Sequence, residues 1–115
     1  VLNTMCDSTI PLTVEEWSQW GNPNIKEYYD YMSLYCPYTN LKKINYPNVY
    51  IMTGLYDPRV QYWEPLKFIS KLRELKTDNN TQLIKINTQQ GHFGGSDRYK
   101  YLEESAEQYT FVLSM

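Results

Sequence analysis

NVYIMT at residues 48–53, which Gly54 closes, and QLIKIN at residues 82–87 are two short apolar runs, and their composition is typical of buried strands. The segment between them favours a helix, because Pro65 suits a first helical turn and apolar residues recur at helical spacing behind it. These residues are Leu66, Ile69, Leu72 and Leu75. Two strands joined by a helix of this length are most economically parallel with a right-handed crossover, so the pattern predicts an α/β fold.

Helices are also predicted on both sides of this unit. Thr13 is followed three residues later by Glu16, which is a capping-box pattern for a short helix that ends at Gly21. A second helix is predicted from Asn24, because apolar residues recur at three- and four-residue steps before Pro37. A last helix is marked by apolar residues at the same steps, namely Leu102, Ala106, Tyr109 and Leu113.

The number of strands indicates that this chain is part of a larger fold. Its 115 residues suffice for one domain, which divides into a helical segment, 1–45, and a strand-helix-strand-helix segment, 46–115. A parallel sheet has to be covered on both faces, and two strands alone leave an inner edge bare. We therefore expect the remaining strands on an upstream part of a longer parent chain, and we expect the isolated chain to self-associate.

Composition excludes several classes of function. A net charge of -2 gives no general attraction for phosphate backbones, so we expect no nucleic-acid partner. The apolar runs are far shorter than the ~20 residues of a membrane-spanning helix, so we expect no membrane crossing. A chain with one histidine and two cysteines, Cys6 and Cys36, lacks the ligands of a structural zinc site. We interpret the cysteines as reduced thiols and expect a cytoplasmic protein.

Two loops carry the residues that could perform chemistry. In open α/β sheets, reactive groups follow the C-terminal ends of strands, and the loops at 54–60 and 90–95 are in that position. The first contains Asp57 and the second contains His92, the only histidine. If the strands are neighbours, roughly 5 Å apart, the carboxylate and the imidazole can form the acid–base part of a catalytic triad. Their order in the chain is also that of α/β-hydrolases.

Several blocks of the chain resemble one family. They are LNTMCDSTIPLT (2–13), EWSQWGNP (16–23), YPNVYIMTGLYDPRVQYWEP (46–65), LKTDNN (75–80) and GHFGGSDRYKY (91–101). Together they resemble the C-terminal end of the oligopeptidase B group in the prolyl oligopeptidase family of serine peptidases. The resemblance implies that the fold is the C-terminal segment of an α/β-hydrolase, with two parallel strands, flanking helices and the remainder of the sheet upstream.

The same resemblance assigns roles to three residues. It implies that Asp57 is the acid of the triad, that His92 is the base, and that Arg59 binds a substrate carbonyl near the scissile bond. The implied substrate is an oligopeptide, cleaved after Lys or Arg without a cofactor, and the nucleophilic serine lies upstream. A propeller domain in the parent chain is implied as well. The chain departs from many bacterial members at Phe93, where they have glycine.

Other interpretations of the same residues stay open. The chain could be a non-catalytic α/β-hydrolase-like binding module, or part of another α/β-hydrolase such as an esterase or an acyl-aminoacyl peptidase. Ser96 does not replace the missing nucleophile, because it lies in GGSDR rather than in a G-x-S-x-G elbow after a strand. A G-x-S-x-G elbow in the upstream sequence would distinguish an enzyme from a binding module. The isolated chain is expected to be inactive.

Overall fold

The computed structural model describes residues 2–91 and 98–115. It contains five helices and two strands in these ranges, namely α1 (Leu2–Cys6), α2 (Thr13–Trp20), α3 (Lys26–Ser33), β1 (Val49–Gly54), α4 (Trp63–Leu75), β2 (Gln82–Asn87) and α5 (Arg98–Ser114). The predicted strand-helix-strand-helix order of the second half is confirmed. Pro65 lies in the first turn of α4, as the sequence predicts.

The two strands form a parallel pair with flush ends. The register runs from Val49 opposite Gln82 to Gly54 opposite Asn87. One further hydrogen bond continues the ladder beyond β1, because the Leu55 amide donates to the Asn87 carbonyl at 2.8 Å. Since both strands point in the same direction and end together, the loops that follow them lie at the same edge of the sheet.

One face of the sheet packs against α4 through an apolar core. Ile69 and Leu72 of α4 are 0% and 1% exposed, in agreement with the predicted apolar stripe. The Arg73 side chain adds a polar tether, because its Nη2 donates to the Gln82 carbonyl at 2.6 Å. The strands themselves are only partly covered, and Gly54 and Gln82 are their only buried residues. Full burial was the expectation, and the described residues do not reach it; among them β1 pairs with β2 alone.

The other face of the sheet holds α5 by aromatic and charged contacts. The rings of Tyr50 and Phe111 stack with their centroids 5.3 Å apart. Glu107 accepts hydrogen bonds from the Tyr50 hydroxyl at 3.2 Å and from the Lys85 ammonium at 2.6 Å. The hydrogen bond from Lys85 lowers the pKa of Glu107; burial opposes this, and the positive charge of Lys85 and the Tyr50 hydrogen bond add to the lowering. The charged pair therefore stays ionised at neutral pH.

The apolar stripe that predicted α5 does not face the sheet. Leu102, Tyr109 and Leu113 are 53%, 70% and 84% exposed. The contacts with the sheet come instead from Glu104, Glu107, Gln108 and Phe111, which lie on the opposite side of the helix. The helix itself is confirmed, but its orientation could not be read from its apolar spacing.

The first three helices form a separate apolar cluster. Its buried members are Leu2, Met5, Met32 and Cys36. Trp17 packs against them, and its indole nitrogen donates to the Met5 carbonyl at 2.9 Å. Within the described ranges, no helix has the length and apolar character that a membrane crossing requires.

The predicted capping box at the start of α2 is wrong. No side chain caps this helix, and the residue before it, Leu12, has a φ of 70°. Thr13 is instead the first helical residue and is buried, with its hydroxyl 3.5 Å from the Thr4 carbonyl oxygen. Contact with α1 therefore determines the position of Thr13, and this contact is invisible to a local sequence pattern.

We predict that Ile69→Ala lowers the free energy of unfolding by about 2–5 kcal/mol, because it opens a cavity between α4 and the sheet. Ile25→Ala is the matched control, since Ile25 is 51% exposed and its truncation should cost less than about 1 kcal/mol. Urea unfolding of the two variants measures the difference. Equal losses would contradict the assignment of Ile69 to the core.

Candidate active site at the carboxyl edge of the sheet

Asp57 is held in a fixed orientation by the loop that follows β1. Its Oδ1 atom accepts hydrogen bonds from the backbone amides of Arg59 and Val60, both at 2.9 Å. Its own amide donates to the Gly54 carbonyl at 3.3 Å, so the loop turns directly after the strand. A carboxylate that accepts backbone amides in this way forms an Asx turn, to which Pro58 adds a fixed φ. The partly buried carboxylate is therefore pre-oriented at the edge of the sheet.

The loop that follows β2 is tied to the Asp57 loop. The Tyr56 amide donates to the Gln90 carbonyl at 3.2 Å. The Gln90 side chain is buried at 6% exposure, and Gly91 is the last residue of the first described range. Tyr56 directly precedes Asp57, and Gly91 directly precedes His92 in the sequence. One backbone hydrogen bond thus joins the two loops next to both predicted triad residues.

A cleft of about 420 Å³ lies beside Asp57. Its lining combines the ends of both strands with residues of both loops, including Gly54, Asp57, Val60, Gln90 and Gly91. The position is the one where open α/β sheets bind their ligands, at the carboxyl edge of neighbouring strands.

The three predicted site residues have different outcomes. Asp57 lies at the expected edge, in the expected loop. Arg59 lies two residues further on with an exposed side chain, and its backbone amide is bound to the Asp57 carboxylate. His92 lies outside the described residues, as does Ser96, so the contact between Asp57 and His92 stays a prediction.

Sequence reasoning missed the parts played by Gly54 and Gln90. A polar loop residue is normally exposed, and no sequence pattern marks Gln90 as a buried residue that accepts a hydrogen bond from the neighbouring loop. Gly54 ends a strand, which suggests punctuation and nothing more. The only available signal was their placement, each a few residues before a predicted triad residue.

Glu64 follows the Asp57 loop in the first turn of α4 and connects this region to α1. Burial raises the pKa of Glu64, but the hydrogen bond from the Thr4 hydroxyl, at 2.7 Å, and nearby positive charge that includes Lys67 outweigh it, so the net pKa is lowered. An ionised carboxylate in a first helical turn also interacts favourably with the helix dipole. This pair anchors the start of α4 and thereby the end of the Asp57 loop.

The described part of the site offers a fixed carboxylate, Asp57, and a nearby guanidinium, Arg59. Among the residues that the structure describes, no three His, Cys, Asp or Glu side chains come together as a set that could hold a metal ion. The fixed carboxylate can orient an imidazole and stabilise its protonated form. An exposed guanidinium nearby offers several donors in a rigid plane, which suits a carbonyl or a carboxylate.

Comparison with known proteins places the chain in a family. Residues 1–115 match a family model that is described as "Prolyl oligopeptidase family". Protease 2 of Moraxella lacunata is 51% identical over 113 residues, which cover 98% of this chain and 16% of that protein.

Two solved structures show the same fold. Oligopeptidase B from Leishmania major superposes with a TM-score of 0.96 at 55% identity, over 99% of this chain and 16% of that one. Oligopeptidase B from Trypanosoma brucei with covalently bound antipain, in a closed form, gives a TM-score of 0.95 at 56% identity with the same coverage. The chain thus spans about 16% of the length of these relatives and has the fold of a segment of an α/β-hydrolase peptidase. It belongs to the prolyl oligopeptidase family.

Proposed function

We propose that the protein containing this chain is a serine peptidase that hydrolyses oligopeptides, with Asp57 as the acid and His92 as the base of a Ser-Asp-His triad. The observation that supports this most directly is the Asp57 carboxylate, fixed by two backbone amides at the edge where the loop leading to His92 is also attached. Family membership supports the reaction class. The nucleophilic serine is proposed to lie on an upstream part of the parent chain.

The mechanism requires two events at His92. One ring nitrogen takes the proton of the serine hydroxyl during attack on the scissile carbonyl, and later gives it to the leaving amine. The other ring nitrogen donates to the Asp57 carboxylate, which selects the tautomer and stabilises the imidazolium. The two hydrogen bonds from backbone amides to Oδ1 hold the carboxylate in place. It therefore needs no reorientation when positive charge develops on the imidazole.

Arg59 is proposed to bind the carbonyl of the substrate next to the scissile bond. Its backbone amide donates to the carboxylate that is proposed to orient the base, and its residue is exposed at the surface. The substrate contact and the proton-transfer group are therefore connected through one rigid turn. Such a contact adds binding energy without moving a proton.

Cleavage after Lys or Arg, together with a cytoplasmic location, is proposed from the kinship with the oligopeptidase B proteins. The trypanosomal protein carries covalently bound antipain, and a covalent adduct agrees with nucleophilic catalysis in that relative. Upstream catalytic-domain segments and a propeller are the proposed partners within the parent chain. They would cover the open edge of β1 and supply the serine and the oxyanion donors.

We predict that His92→Ala and Asp57→Asn each lower the turnover of the full-length protein by roughly 10³-fold or more, because both residues serve one proton-transfer unit. The double variant should lose far less than the product of the two effects. Steady-state kinetics on a fluorogenic peptide with a basic residue before the scissile bond provides the measurement. Asp30→Asn on the exposed side of α3 is the matched control and should keep wild-type turnover. Wild-type turnover in either single triad variant would contradict the assignment.

We predict a different effect for Arg59→Ala. The loss of one charge-assisted hydrogen bond to the substrate should lower kcat/KM by an amount equivalent to roughly 1.5–3 kcal/mol. The pH optimum should not change, because Arg59 moves no proton. Arg59→Lys retains the charge but not the planar donor pair, so it should recover only part of the loss. A shifted pH profile with unchanged kcat/KM would instead indicate that Arg59 acts on His92.

The 115-residue chain expressed alone should show no peptidase activity and no labelling by a fluorophosphonate probe, because it contains no elbow serine. Labelling of purified chain, followed by gel fluorescence, tests this, with Ser96→Ala as the control. Labelling that disappears in Ser96→Ala would make Ser96 the nucleophile and would contradict the proposed upstream position of the catalytic serine.

A further inference from the structure

We propose that Gly54 is a positioning residue of the active site: the absence of a side chain at the end of β1 lets the backbone that leads to His92 pass close to the Asp57 loop. This inference deepens the proposed function and rests on it. It assigns Gly54 no contact with substrate. Its role is to set the distance between the two loops that carry the acid and the base.

The backbone of residues 90 and 91 lies very close to Gly54. A Cβ atom built on Gly54 would lie 2.4 Å from the Gln90 carbonyl oxygen and 2.7 Å from the Gly91 carbonyl oxygen. Normal contacts between carbon and oxygen are about 3.3–3.6 Å, so the Gln90 carbonyl would have to move by about 1 Å. Both contacts are with backbone atoms, which cannot rotate away as a flexible side chain could.

The backbone conformation at position 54 does not require glycine. Among the described residues, Gly21 is the glycine with a positive φ, and Gly54 is an ordinary strand residue paired with Asn87. Any residue type could adopt its dihedral angles. The space occupied by Gln90 and Gly91 is therefore the reason that a side chain is excluded.

The same approach makes the connection between the loops. The Gln90 carbonyl that would meet the added Cβ is the acceptor for the Tyr56 amide at 3.2 Å. Moving this carbonyl away breaks or lengthens that bond and displaces the segment from which His92 continues. Gln90 is buried and lines the cleft, so a displacement of its backbone would also change the shape of the cleft. A misplacement of about 1 Å in a catalytic group can lower the rate about 10²-fold.

The experiment is a double-mutant cycle in the full-length protein. Gly54→Ala should lower kcat about 10²-fold in the wild-type background, by the effect of a displacement of about 1 Å. In the Asp57→Asn background the same substitution should lower kcat less than about threefold. The proposed contact between the Asp57 carboxylate and His92 is already lost in that background, so a change in the distance between the two loops has little further effect. A merely structural role would give equal losses in both backgrounds. Equal losses, or no loss in the wild-type background, would overturn the proposal.

Two further outcomes are distinguishable. If Asp57→Asn alone keeps full turnover, the proposed triad fails and the inference fails with it. If Asp57→Asn loses roughly 10³-fold while Gly54→Ala is harmless or additive, the triad stands and only the role of Gly54 is overturned.

If Gly54→Ala shows no cooperative melting, Gln90→Ala probes the same segment without an added methyl group. A kcat loss that vanishes in the Asp57→Asn background supports the proposal, and an additive loss or no loss overturns it.

Discussion

The flush parallel pairing of β1 and β2 is the constraint on which the rest of the structure depends. The register from Val49 opposite Gln82 to Gly54 opposite Asn87 makes both strands end at the same level. A shift of one residue would reverse the face to which every side chain of a strand points and would stagger the two following loops. Because the ends are level, the Tyr56 amide, next to Asp57, can donate a hydrogen bond to the Gln90 carbonyl. The geometry of the proposed active site is thus a consequence of strand register.

The two faces of this small sheet are stabilised by different interactions. The face toward α4 is covered by Ile69 and Leu72, which have the most deeply buried large side chains among the residues that the structure describes. The face toward α5 depends on the stacking of Tyr50 on Phe111 and on the charged group around Glu107. Exposed ion pairs contribute little to stability, so apolar burial by α4 provides the larger share of the energy and α5 is held more weakly. The α4 side therefore fixes the position of the strand ends, and with them the site.

The elements that sequence patterns predicted well are those with a strong local signal. Both strands and α4 were predicted within a residue or two, because their apolar runs are short, bounded by glycine, proline or polar turns, and clearly periodic. The extent of α2 was predicted within a residue, but its capping was mispredicted, since the Thr13 side chain contacts α1 and does not cap its own helix. For α5 the helix was predicted and its orientation was not. Its apolar stripe faces away from the sheet. Apolar periodicity predicts that a helix has an apolar face, but it does not predict which element packs against that face.

The sequence alone determined the strand-helix-strand order, the family blocks and the identity of the candidate residues Asp57, His92 and Arg59, because these follow from local periodicity and from residue types at fixed spacing. Tertiary structure decided how Asp57 is oriented, since the amides that bind its carboxylate are arranged only when the loop closes behind β1. It also leaves no space for a side chain at position 54. The atoms that exclude one belong to Gln90 and Gly91, more than thirty residues away in the chain, and only the paired strands bring them into contact.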